Sequence, residues 1–329
     1  MDAAPRNLLV MHFGQLGDVV LGLPAMKAIR DRFPDARLTA VVGAATAEIV
    51  TMSGLFDEVL PVDRVRILRS NKIKASIELI RFALSIRRRR FDLVIDLHSL
   101  PETNILGFVS GAELRLFSKR EGRSLNFLSN FRPPAPTEDN AVHLSQGYLN
   151  VLAPTGVSAT VEPFVFAQST GGDRFIDPVV GLNPGAGHPS RRWPVENFAE
   201  LARMIVDRGI ARVSILIGPE DLILQNAFSG VTNDKCVIDR GSSLRDLVGS
   251  LSRLSLLVSN DTGPTHLAAA TDTPIILLLH ATAPDRFLPF SPNVVIHRGT
   301  RIEDIQVTDV YDSVISLLEG QMRNAFLHR

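Results

Sequence analysis

The sequence predicts an α/β protein of two tandem units, each a parallel β-sheet with helices on both faces, and three observations carry that expectation. Short apolar runs of five or six residues alternate with longer helical stretches along most of the chain, the pattern of strands buried on both sides. The alternation comes as two series, separated near residues 161–173 by Val161-Glu162-Pro163 and Ser169-Thr170-Gly171-Gly172-Asp173, which read as linker. In each series a polar turn hands a strand over to a helix, and open α/β sheets place ligands there. A chain of 329 residues with 45% apolar and 21% charged residues is long enough for two ordinary cores.

The first series opens with a strand over residues 7–13, breaks at Gly14-Gln15-Leu16-Gly17-Asp18, and continues as a helix over 19–33. The turn lacks the G-x-G-x-x-G spacing, so a dinucleotide fingerprint is missing where a dehydrogenase would carry it. Asp18 stands at the helix entrance, as a capping carboxylate would. Strand 37–42, helix 44–52, strand 58–62, helix 73–88 and strand 91–97 follow, with His98 just past the last strand. Prolines break the pattern at 131–136, and a helix over 142–152 closes the series.

The second series begins with a strand over 178–182 and the turn Asn183-Pro184-Gly185-Ala186-Gly187, then a helix over 195–207. Strands at 213–217 and 236–239, a helix at 243–251, a strand into Asp261, a strand at 274–279 and a last helix from about 302 to 318 complete it. Two Rossmann-like halves in tandem leave a cleft between them. The units are expected at 1–165 and 175–302, with 303–329 as the terminal helix.

The stretch Asn260-Asp261-Thr262-Gly263-Pro264-Thr265-His266-Leu267 carries the most chemistry. Pro264 suits the first helical position and Gly263 lets a ligand approach the backbone. The amides of Thr265, His266 and Leu267, with the helix dipole behind them, are expected to face an anion; Thr262 and His266 add side-chain donors. A plain turn and N-cap is the competing reading of the same tetrapeptide.

Charge narrows the partners. Thirty-five basic residues balance 35 acidic ones, so no global field points to nucleic acid. Residues 1–165 nevertheless carry a net charge of +3 and the remainder −3. Between Arg64 and Arg90 stand ten basic residues and one acid, Glu78; Arg87 to Arg90 also suit the end of a helix. The single cysteine, Cys236, excludes an intrachain disulfide framework and a multi-thiolate zinc site. With no 18-residue apolar run and no export signal, a cytoplasmic protein is expected, with peripheral membrane contact open.

Four ordered segments resemble glycosyltransferase family 9, the bacterial heptosyltransferases of lipopolysaccharide core assembly. They are Leu16-Gly17-Asp18-Val19-Val20-Leu21 with Pro24-Ala25; Asp92-Leu93-Val94-Ile95-Asp96-Leu97; Asn183-Pro184-Gly185-Ala186 with Arg192-Trp193-Pro194 and Phe198; and Asn260-Asp261-Thr262-Gly263-Pro264 with His266-Leu267-Ala268. The resemblance implies a GT-B architecture, two Rossmann-like doubly wound domains facing across a cleft, with a nucleotide sugar held mainly by the second and the acceptor by the first. It also implies that the last helix crosses back to the first domain.

On this resemblance Asp18 is the general base of an inverting reaction, and an aspartate, being a weak base, serves only if the proton moves late. Ala186, Gly187, Arg191, Asp261, Thr262, Gly263 and His266 are the expected donor-binding residues, with Arg191 rather than Arg192 reaching the phosphates; Trp193 is expected to pack in the core. Arg64, Arg66, Arg69, Lys72 and Arg120, with Arg115 and Lys119 beside them, are the candidates for an acidic, lipid-anchored saccharide acceptor. No Asp-x-Asp motif occurs, so a metal-independent transfer from ADP-heptose is expected, with no cofactor beyond that co-substrate. Another nucleotide sugar, a non-catalytic sugar-nucleotide binder and a nucleotide-sugar epimerase are the alternatives. His12, Gln15 and His98 depart from the family pattern, His98 replacing a common glutamine.

Overall fold

The computed structural model describes residues 4–69, 71–157, 160, 162–167 and 177–327. It divides into two compact units, Met1–Phe164 and Val165–Arg329. Of the expected linker, Val161 and Ser169 to Asp173 lie outside the described residues.

The first unit contains β1 (Asn7–His12), α1 (Leu16–Arg32), β2 (Arg37–Gly43), α2 (Ala47–Met52), β3 (Glu58–Val62), α3 (Arg64–Arg69), α4 (Lys72–Arg88), β4 (Leu93–Asp96), α5 (Pro101–Val109), β5 (Leu114–Phe117) and α6 (Leu144–Leu152). All five strands are parallel, in the order β3-β2-β1-β4-β5. The central strands β1 and β4 are mostly apolar because helices cover both faces, and Leu8, Leu9, Met11, Val94 and Ile95 are buried. Helix α1 is buried along most of its length, from Val19 to Met26, since it packs against α6 as well as facing the sheet. The chain leaves β1 toward β2 and β3, then returns to β4 on the other side of β1. The carboxyl ends of β1 and β4 therefore flank a topological switch point.

The second unit repeats the plan with β6 (Val179–Asn183), α7 (Val195–Asp207), β7 (Arg212–Leu216), β8 (Cys236–Asp239), α8 (Leu244–Arg253), β9 (Leu256–Asn260), α9 (Gly263–Ala270), β10 (Ile275–His280), β11 (Val294–Gly299) and α10 (Val307–Leu327). Its six parallel strands run β11-β10-β9-β6-β7-β8, so β6 and β9 flank the switch point. The core gathers Trp193, Phe198 and Phe228 with Val310, Val314 and Leu318 of α10, which lies against α7. Each such large apolar side chain stabilises the fold by about 2 kcal/mol relative to exposure. Trp193 is a core residue as expected: its ring meets Phe198 edge-on at 4.9 Å, and its Nε1–H donates to the Ile305 carbonyl at 2.9 Å.

Four elements have no counterpart in the sequence reading: α3, α5, β5 and β11. The basic residues 64–74, expected near a strand end, are mostly helical: Arg64–Arg69 form α3, which leads into α4. No described helix is long and apolar enough to cross a membrane.

Candidate active site

In the second unit the site is built by two loops at the ends of β6 and β9, stitched together by two asparagines. Asn183 ends β6, and its Nδ2 donates to Ser259 Oγ at 2.8 Å and Thr262 Oγ1 at 2.9 Å. Asn260 ends β9, fully buried; its Nδ2 donates to the carbonyls of Pro184 (3.0 Å) and Gly185 (3.1 Å), while its Oδ1 accepts the Trp193 amide at 2.9 Å. One side chain thus fixes the 184–187 turn, the approach to α7 and the entrance to α9. Thr265 Oγ1 completes the clasp by donating to the Asn260 carbonyl at 2.7 Å.

This wiring corrects part of the anion-site expectation. The Thr265 amide closes the first turn of α9 on the Thr262 carbonyl at 3.1 Å and so does not face outward. The Thr262 hydroxyl is held by Asn183. Gly263 remains as the first amide of α9 that donates to no protein group among the described residues, and it sits at the positive end of the helix. The amides of Ala186 and Gly187 are likewise uncommitted among the described residues, and a Cβ at Gly187 would meet nothing within 4 Å. Gly185 is different, because any side chain there would collide with the Asp221 carboxylate.

Asp221 also separates the two neighbouring arginines. Arg192 bonds Asp221 Oδ1 at 3.1 Å and the Ala186 carbonyl at 3.2 Å, which makes it a brace for the turn. Burial raises the Asp221 pKa and Arg192 opposes that rise. Arg191, by contrast, is exposed, and its guanidinium has no hydrogen bond or ion pair among the described residues. It lies close enough to Asp261, on the loop after β9, to oppose the upward pKa shift that burial imposes on that carboxyl. His266 is buried beside Asp261, Nε2 to Oδ1 3.9 Å. Asp221 escaped the sequence reading, although the Gly218-Pro219 turn after β7 marked the strand end that carries it.

In the first unit, Asp18 sits in the first turn of α1, after Gln15 at the N-cap. It is therefore the third helical residue and not the cap itself; Oδ2 reaches back to accept the Gln15 amide at 3.0 Å. Oδ1 accepts no hydrogen bond among the described residues. Gly14 makes the turn possible, since a Cβ there would stand 2.5 Å from Asp18 Cβ and 2.8 Å from His12 Cε1.

Beside this turn, His98 follows β4. Burial pushes its pKa down to about 4, Arg120 adding to the fall while the nearby Asp18 carboxylate opposes it. At neutral pH the ring is uncharged. Its backbone is clamped on both sides: Arg120 Nη1 donates to the His98 carbonyl at 2.9 Å, and Asp96 accepts the Ser99 amide at 2.8 Å. Asp96, fully buried, also accepts Thr103 Oγ1 and Asn104 Nδ2; burial outweighs these hydrogen bonds, which oppose it, and its pKa is pushed up to about 7. Ser99 takes a left-handed conformation at φ 50° to make this turn. His12, wholly buried, lies 5.2 Å from His98 and 4.9 Å from Tyr148, ring to ring, and burial holds its pKa well below the ordinary value.

The acceptor candidates divide. Arg120 pairs with Glu138 at 3.0 Å next to His98, and Arg64 pairs with Glu102 at 2.5 Å over the Phe13 ring. Arg66 pairs with Glu78, while Arg69 and Lys72 make no ion pair among the described residues. Arg115 is committed to the backbone carbonyls of Leu128 and Ala112, and Lys119 is exposed on a short bridge to Thr137. The structure thus brings Arg64 and Arg120 to the β1–β4 switch point and leaves the others on α3, α4 or the β5 edge.

These two switch-point loops carry the segments quoted above, and a model of glycosyltransferase family 9 (heptosyltransferase) matches residues 79–314. The chain belongs to this family. Lipopolysaccharide core heptosyltransferase OpsX of Haemophilus influenzae is 22% identical over 302 residues, 88% of this chain and 83% of the relative. Among solved structures, a glycosyl transferase family 9 protein from Veillonella parvula superposes with a TM-score of 0.81 at 23% identity, covering 96% of this chain and 98% of that one. The E. coli heptosyltransferase WaaC with ADP superposes equally, TM-score 0.81 at 21% identity, covering 94% and 99%. The family 9 chain therefore has the GT-B fold, with two Rossmann-like parallel-sheet domains, and is a transferase.

Proposed function

We propose that this family 9 protein is an inverting, metal-independent glycosyltransferase that moves a heptose from ADP-heptose to a lipopolysaccharide core-like acceptor at the cytoplasmic face of the inner membrane. One observation carries the donor assignment. At the β6–β9 switch point, the amides of Ala186, Gly187 and Gly263 and the guanidinium of Arg191, all uncommitted among the described residues, stand on loops locked by Asn183 and Asn260. A diphosphate needs such fixed donors, because charge grows on the leaving phosphate as the glycosidic bond breaks. A solved relative of the same fold binds ADP-2-deoxy-2-fluoro heptose, which supports this donor class.

Asp18 is the proposed base. The acceptor hydroxyl oxygen bonds to the anomeric carbon from the face opposite the phosphate, the bond from that carbon to the phosphate oxygen breaks, and the hydroxyl proton passes to Asp18 Oδ1. ADP leaves with the bonding pair, and the configuration inverts. Proton transfer by a weak base is productive only when the oxygen is already forming its new bond, so positioning supplies much of the effect. Arg64 and Arg120 are the proposed contacts for acidic groups of the acceptor.

A thermal-shift panel of nucleotides and nucleotide sugars tests the donor. ADP and ADP-heptose are expected to raise the melting temperature. A shift with a uridine or guanosine sugar and none with ADP would replace the donor and leave the fold assignment intact. Binding without any transfer of labelled sugar would reduce the protein to a nucleotide-sugar binder.

A further inference from the structure

Helix α4 is apolar on two opposite faces. One face belongs to the core: Ile86 is buried, and Phe82 packs against the same cluster. The other is a ridge of Ile73, Ile77, Ile80 and Leu84, spaced i, i+4, i+7 and i+11, with Ile73 71% exposed and Ile80 59%. A surface helix of a water-soluble unit normally presents polar residues there. Lys74, Arg81 and Arg88 flank this ridge along the helix, and none of them makes an ion pair among the described residues.

The exposed apolar surface continues onto neighbouring elements. Helix α5, packed beside α4, exposes Ile105 and Phe108, and the turn against α5 exposes Phe127 at 81%. Between α4 and α5 runs an apolar groove of about 470 Å³, whose lining includes Phe82, Leu106, Ile105 and Phe13. Phe13 immediately precedes the Gly14–Asp18 turn, so this surface reaches the proposed acceptor site.

We infer that the outward face of α4, with the adjoining α5 surface, docks this protein on an anionic phospholipid bilayer. The ridge enters the boundary between headgroups and acyl chains, and the flanking Lys74, Arg81 and Arg88 lie among lipid phosphates. A protein partner complementary to this surface would need an acidic rim around an apolar groove; a bilayer with acidic headgroups offers both features over any length of helix. The inference deepens the proposed function and rests on it for the purpose of docking, which is to bring the β1–β4 switch point to a lipid-anchored acceptor. Its physics depends on α4 alone.

The test is co-sedimentation of the full-length protein with vesicles of phosphatidylcholine, or of phosphatidylcholine mixed with phosphatidylglycerol, at low and high salt. The wild-type protein is expected to bind the mixed vesicles about tenfold or more tightly than the neutral ones, an advantage lost at high salt. The charge-reversed variant Lys74→Glu/Arg81→Glu/Arg88→Glu and the polar-ridge variant Ile77→Ser/Ile80→Ser/Leu84→Ser should each weaken that binding about tenfold or more. Their circular dichroism and melting temperature should stay at wild-type values, because every altered side chain is exposed.

Indifference of the wild-type protein to phosphatidylglycerol overturns the inference without recourse to a variant, as does wild-type binding by both folded variants. Light scattering that shows a dimer broken by the polar-ridge variant would assign the ridge to a second copy and overturn it equally. Vesicle binding is read without turnover, so failure here leaves the donor panel untouched, and failure of the donor panel leaves vesicle binding to stand or fall alone.

Discussion

Asp18 combines a capping contact to Gln15 with the proposed role of base on one carboxylate. Oδ2 satisfies the helix and Oδ1 is left over, so Asp18→Asn keeps a carbonyl oxygen for the Gln15 amide but cannot take a proton. Turnover is expected to fall about 10²- to 10⁴-fold, with the ADP-induced thermal shift unchanged; full activity in the Asn variant would remove Asp18 from the role. The arginine pair separates in the same manner. Arg191→Ala should raise the donor KM about tenfold or more at constant melting temperature, the cost of one charge-assisted contact. Arg192→Ala instead strands the half-buried Asp221 carboxylate and should lower stability by about 2 kcal/mol, read by urea denaturation. His98 supplies a pH dependence. Its folded pKa of about 4 lies below the ordinary 6.5, so the unfolded chain takes up the proton first as pH falls, and stability is lost from about pH 6.5 down toward pH 4. Between pH 7 and pH 5 the wild-type protein should lose ~2 kcal/mol more than His98→Gln, which cannot titrate.

At the scale of elements, what was legible in the sequence followed from burial. The β1, β6, β9 and β10 runs are apolar because both faces are covered, and helix α7 shows its core face plainly in Phe198, Leu201, Ala202 and Ile205. The missed elements lack that signal. Strand β11 is a half-exposed edge strand with His297 and Arg298 in it, β5 has only four residues, and α5 has nine, opened by Pro101. The site divides along the same line. Asp18 and the Asp261 turn stood out as candidates because a glycine or proline punctuates a strand–helix handover, and the structure places both at such handovers. The Asn260 clasp was not, since its partners Pro184 and Gly185 lie about 75 residues away and are brought near only by the β6–β9 pairing. That clasp is the place to test whether the two loops act as one. Asn260→Ala leaves the buried Trp193 amide without its acceptor and two carbonyls without their donor, an expected cost of about 2–4 kcal/mol. Where the variant remains folded, donor affinity should drop although no donor-facing residue has changed.

For the molecule as a whole, the two units carry separate sheets and separate cores, and the cores predict which half answers to which ligand. Residues 165–329 enclose Trp193, Phe198 and Phe228 under a six-stranded sheet and are long enough to fold alone. All of the proposed diphosphate donors, Ala186, Gly187, Arg191 and Gly263, lie in this unit, whereas Asp18, Arg64 and Arg120 lie in the other. Expressed by itself, the 165–329 fragment is therefore expected to melt cooperatively and to keep the ADP response while transferring no sugar. At ADP about 100-fold above its Kd the stabilisation is ~2.7 kcal/mol, which for a domain of this size raises the melting temperature by about 5–10 °C. A folded fragment blind to ADP, beside a 1–164 fragment that responds, would move the donor to the first unit. It would also turn Asp18 from the proposed base into a residue of the nucleotide site.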